Sequence, residues 1–165
     1  MKKNLMSLVA LVLVFSLFFS GCKNNSDVAN YAVKIGDTYV SVPEFKFYLY
    51  EAQKQFENIG GSDIWETDFE GETAENVAKE TALNSLRIVT IAVENAKKYN
   101  VFLTDEEKQE AKKEAQSQFD VLTEAEKESM EINIDIINDV IESNHIYSKV
   151  YNEVTKNYEL SEADF

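Results

Sequence analysis

Residues 31–58 read YAVKIGDTYVSVPEFKFYLYEAQKQFEN, and the order of signals in this stretch decides the fold. Tyr31, Val33 and Ile35 alternate with other residues up to Gly36-Asp37, and Thr38-Tyr39-Val40 resume extended character after that two-residue break. Alternation around a short glycine-containing break predicts a β-hairpin. Ser41 then stands three residues before Glu44, with Pro43 in the first turn, where its missing N–H leaves no bond unmade. That spacing is a capping box opening a helix, in which the serine oxygen and the glutamate carboxylate each satisfy an amide that has no partner inside the helix. Phe45, Leu49, Ala52 and Phe56 recur at helical spacing and predict the buried stripe; the helix should end near Asn58, before Ile59-Gly60-Gly61.

Working downstream, residues 60–72, GGSDIWETDFEGE, lack a period and hold three of the five glycines, which predicts a long loop. Its acidic side chains invite a calcium reading. An EF-hand loop needs alternating ligands and a glycine at the sixth place; here Trp65 breaks the alternation two positions after Asp63 and that glycine is absent. From Thr73 to Tyr99 the chain reads as one helix, and its segment LRIVTIAV, Leu86 to Val93, is apolar nearly all the way round, which predicts a place at the centre of the domain. Asn100 ends it. Thr104 with Glu107 and Thr123 with Glu126 give two more capping boxes, the first opening a helix whose apolar stripe is only Ala111, Ala115 and Phe119. Asn133 caps the last long helix, whose expected buried side is Ile136, Ile137, Val140, Ile141, Ile146, Val150 and Val154. The fold class expected is mainly α, with a short N-terminal hairpin.

Upstream, Met1, Lys2 and Lys3 precede an apolar run from Leu5 to Phe19 that is shorter than the roughly 20 residues a membrane-crossing helix needs. This is the shape of a secretory leader. Ser20-Gly21-Cys22 resembles a bacterial lipobox, with Phe19 where leucine is usual; such a site implies that residues 1–21 are removed and that Cys22, the one cysteine, carries lipid. A lone thiol in an oxidising compartment is otherwise a liability. Two acyl chains suffice for stable anchoring, and the polar residues 22–30 read as a tether, leaving one domain over residues 31–165 on the outer face of the cytoplasmic membrane. The full chain has a formal charge of −14; without Lys2 and Lys3, 14 basic residues face 30 acidic ones and the charge becomes −16. Such acidity excludes nucleic acid as an expected partner and repels an anionic membrane surface.

The order of leader, cysteine, VKIGDTYVSVPEF, aromatic helix, glycine-and-tryptophan loop, long apolar helix, LTDEEK and a last helix closing in YELSEADF resembles the N-terminal domain of the SurA and PrsA type extracellular foldases, which are peptidyl-prolyl isomerases and chaperones. The resemblance covers nearly all of residues 31–165 and rests on order and spacing rather than on a catalytic motif. It implies a helical chaperone domain that holds unfolded or partly folded secreted polypeptides, while a separate parvulin domain isomerises X-Pro bonds. No segment of these 165 residues resembles a parvulin domain. The expected function is therefore extracellular, membrane-anchored holding of clients by apolar contact. The alternatives are an N-terminal fragment of an isomerase whose catalytic domain lies beyond residue 165, or a cell-surface lipoprotein with one dedicated partner.

For chemistry, His145 is the only histidine, so neither a histidine metal site nor a nucleophilic triad can be assembled around it. No catalytic or metal-binding residue and no cofactor is expected. Holding needs exposed apolar surface, and Phe47, Tyr48 and Tyr50, lying off the expected buried stripe, with Ile64, Trp65 and Phe69 of the loop, are the candidate client-binding residues. The alternative is that these side chains pack on the central helix to close a small core. Client identity and oligomeric state are not legible.

Overall fold

The computed structural model describes residues 31–156. The leader, Cys22, the tether and the closing YELSEADF lie outside the described residues. Two strands, β1 (Tyr31–Ile35) and β2 (Thr38–Ser41), form the expected antiparallel hairpin, with Ile35 opposite Thr38 and a register slip between Tyr31 and Val33. Gly36 takes φ 57° at the turn, and a Cβ there would sit 2.4 Å from a carboxylate oxygen of Glu94. That carboxylate is the hairpin's anchor: it accepts the Asp37 N–H at 3.0 Å and the Thr38 hydroxyl at 2.8 Å.

Helix α1 (Val42–Gly60) starts where the sequence places it, with the Glu44 N–H donating to the Ser41 hydroxyl oxygen at 3.3 Å and Pro43 in the first turn. It runs to Gly60, slightly beyond the expected end. The expected loop is more ordered than its composition suggests: a 3-10 turn (Gly61–Glu66) is followed by the short strands β3 (Asp68–Phe69) and β4 (Glu72–Thr73). Local bonds replace the missing period, since Asp68 accepts the Gly71 N–H at 2.8 Å and the Thr67 N–H reaches the Ile64 carbonyl at 3.1 Å. Helix α2 (Ala74–Asn95) passes into a 3-10 turn (Ala96–Tyr99) that Asn100 stops in the left-handed conformation. Helices α3 (Asp105–Val121) and α4 (Glu124–Met130) both carry reciprocal capping boxes, at Thr104/Glu107 and Thr123/Glu126, and Asn133 caps α5 (Ile134–Thr155).

The helices pack α1 on α2, α2 on α5 and α5 on α3. Alanines make this close approach possible: Ala52, Ala82, Ala111 and Ala115 are all buried at the contacts, so neighbouring backbones meet without large side chains between them. Into the remaining space go Val40, Phe47, Leu86 and Ile137, the largest fully buried side chains, each stabilising the fold by about 1.5–3 kcal/mol of transfer free energy. A smaller cluster of Ala92, Ala96 and Val150 joins the end of α2 to α5. The poorly apolar α3 is held by its alanine face, by an ion pair in which Lys149 of α5 donates to both carboxylate oxygens of Glu107 at 2.6 and 2.7 Å, and by a 3.1 Å contact between His145 Nε2 and the Glu114 carboxylate.

Three expectations are corrected by this packing. Segment 86–93 is not buried all round: Leu86, Val89, Thr90 and Ala92 face inward, whereas Ile88 is 51% and Ile91 48% exposed, because among the described residues α2 packs chiefly on α1 and α5. Val154 is likewise exposed, on the side of α5 that also carries exposed Tyr151. On α1 the buried face is turned toward Phe47, Tyr48 and Ala52, while Phe45, Leu49 and Phe56 are only half-buried. The cause is that α1 is packed by the hairpin, α2, α4 and α5 rather than by a single partner.

Candidate functional site

Helices α1, α2, α3 and α5 surround a cavity of about 580 Å³ that opens to solvent. Its floor is apolar, made by Phe47, Ala52, Ala82, Val140 and Ile141 of the core. Its walls are polar: Tyr48, Glu51 and Gln55 come from α1, Ser85 from α2, Gln118 from α3, and Asn144 and Ser148 from α5. The Tyr48 hydroxyl donates to Asn144 Oδ1 at 3.4 Å, joining α1 to α5 across the floor. Burial pushes the Tyr48 pKa far up, with the negative Glu44 adding to the effect, so this phenol stays a protonated donor. Burial also raises the carboxyl pKa of Glu51 and, against a lowering bond at Ser41, that of Glu44. Glu51 is the one charged side chain in the lining. The Oε1 atom of Gln118 is buried without a hydrogen-bond partner. Hydroxyls, amides and one carboxylate stand in this recess around an apolar floor, groups that can orient a bound molecule.

At the mouth of the cavity, Ile88 of α2 and Tyr147 of α5 form a lip. The apolar surface continues along both helices. Ile91 lies one turn beyond Ile88, and on α5 the Tyr147 ring meets that of Tyr151 at 6.2 Å, with exposed Val154 one turn further.

The six candidate aromatic and aliphatic residues are not brought together. Phe47 is 2% exposed and Tyr48 is buried, so neither presents a ring to a partner; both are core residues whose edges reach the cavity floor. Tyr50 is half-buried and lines a second recess of about 440 Å³ with Lys46, Leu49 and Met130, its ring beneath the Lys54 ammonium at 5.3 Å to the centroid. Trp65 stacks on Phe56 at 5.9 Å and Phe69 packs on the same ring at 6.1 Å, while Ile64 lies over Gly60. This corner is folded on itself at the end of α1, and Trp65 lines a shallower recess of about 360 Å³. Sequence reasoning missed Ile88, Ile91, Tyr147 and Tyr151. A signal for the first two existed, since a helix apolar beyond one stripe either is surrounded or leaves surface uncovered. Cys22 lies outside the described residues, and among those described no helix is long and apolar enough to cross a membrane.

No protein-family model matches the chain, and no solved structure matches it. Among characterised proteins, it is 25% identical over 170 residues to the foldase protein PrsA of Caldanaerobacter subterraneus subsp. tengcongensis, an alignment that takes in 99% of this chain and 56% of that protein. The chain thus spans little more than half the length of this relative. Similarity across 99% of this chain supports a distant relation to foldases.

Proposed function

We propose that this protein is an extracellular lipoprotein, anchored through Cys22, whose helical domain holds unfolded or partly folded secreted polypeptides. The observation that carries the reading is the uncovered apolar lip of Ile88, Ile91, Tyr147 and Tyr151 around a cavity with hydrogen-bonding walls. An unfolded chain offers apolar side chains and unpaired amides together, and such a surface answers both. The lip stands on two helices that pack on each other, so it does not collapse when empty. Similarity to a foldase over the chain's length supports the same role. The acidic surface adds attraction for basic client stretches and limits self-association.

Two measurements test it. The protein should suppress aggregation of several unrelated unfolded proteins in proportion to its concentration; protection of a single one of them would favour a dedicated partner instead. Cys22→Ser should leave the precursor uncleaved or release the protein into the medium, and incorporation of labelled fatty acid into that variant would contradict the anchor.

A further inference from the structure

The cavity between α1, α2, α3 and α5 holds one charge that the fold itself leaves unanswered. Glu51 belongs to none of the ion pairs among the described residues, although Lys46, Lys54, Lys79, Lys127, Lys149, Lys156 and His145 all pair with other carboxylates. Its side chain borders a recess whose other lining residues carry no charge. Glu51 stays exposed to solvent at the edge of the recess, open to an incoming cation.

Glu51 calls for an occupant that brings a cation. The floor and lip beside it are apolar, so the occupant must also carry apolar side chains. An extended polypeptide meets both needs, because its side chains alternate to opposite sides and a cationic one can stand among apolar ones. A free amine or a metal ion would leave the apolar floor and lip unused.

Resting on the holding role proposed above, we propose that this cavity takes an extended client segment with a lysine or arginine flanked by apolar residues. The cationic head pairs with Glu51, and the flanking side chains lie on Ile88 and Tyr147. The cavity thereby sets a preference among clients that apolar contact alone would not give.

The test uses the full chain and a labelled peptide, Thr-Val-Tyr-Lys-Val-Tyr-Thr, with twins carrying Gln or Glu at the central position. Fluorescence anisotropy should show the Lys peptide binding about threefold to tenfold tighter than its Gln twin, with the Glu twin weakest, the size expected of a partly solvated ion pair. Glu51→Gln should remove the difference between the Lys and Gln peptides and leave the Gln peptide's affinity unchanged. Glu128→Gln, which makes the same change in net charge on exposed α4, should keep the difference. Equal affinity for the three peptides, a preference that survives Glu51→Gln, or an equal loss in Glu128→Gln would overturn the proposal. Aggregation suppression by the same Glu51→Gln protein separates the two claims: retained suppression with no charge preference sinks this proposal alone, whereas wild-type protein that protects no client sinks the holding role beneath it.

Discussion

The corner at the end of α1 and the lip between α2 and α5 are both rich in large apolar side chains, and they are arranged in opposite ways. At the corner, Phe56 is the hub on which Trp65 and Phe69 pack, and all three are half-buried. At the lip, Ile88, Ile91 and Tyr151 stand about half exposed on two helices already fixed to the core beneath them. The difference teaches that aromatic content does not identify a contact surface. A ring that finds another ring nearby is spent on local order, whereas an apolar residue on a helix with neighbours on one side only remains available.

The strongest way to break this comparison is to remove a side chain that both the core and the cavity use. Phe47→Ala should destabilise the domain by about 3–5 kcal/mol in urea unfolding, since it deletes a fully buried ring. A loss under about 1 kcal/mol would mean that the floor of the cavity is less tightly packed than described. Phe56→Ala tests the corner: Trp65 and Phe69 both lose their partner, and a cost of about 1–3 kcal/mol is expected, with tryptophan fluorescence shifting to the red. Holding should persist in this variant under conditions where it is folded. At the lip, Ile88→Ser with Ile91→Ser should change stability by no more than about 1 kcal/mol, because each removes half-exposed surface and opens no cavity.

The smallest effect concerns the tie that steadies the lip's α5. The Lys149 ammonium and the Thr104 N–H hold the Glu107 carboxyl below its usual 4.5. A carboxylate with a depressed folded pKa adds stability above its unfolded value and loses it as pH falls through the folded one. Lys149→Met should therefore be less stable than wild type at neutral pH, and the gap should narrow as the solution is acidified below 4.5. A gap independent of pH, followed by circular dichroism in urea, would show that the pairing contributes nothing.

Much of the fold was legible because its signals are local. Ser41, Thr104, Thr123 and Asn133 each supply a side-chain oxygen to an amide three residues on, and each marks a helix start that the structure reproduces. The 3-10 turn and the β3–β4 pair were not legible, since they depend on the Asp68 to Gly71 bond and on packing against Phe56 rather than on a period. The candidate site was less legible still. Burial of Phe47 and Tyr48 follows from four elements converging on α1, and the exposure of Ile88 and Ile91 follows from the lack, among the described residues, of a helix on the outer side of α2. Helical spacing tells which residues share a face, and says nothing of how many faces a helix has covered.

Aggregation suppression by the Ile88→Ser, Ile91→Ser protein, measured beside wild type on several unrelated unfolded clients, addresses the central claim most directly. Holding through the lip predicts that protection falls several-fold while the unfolding curve stays close to that of wild type. Undiminished protection by this variant would contradict it and return the client surface to another part of the molecule.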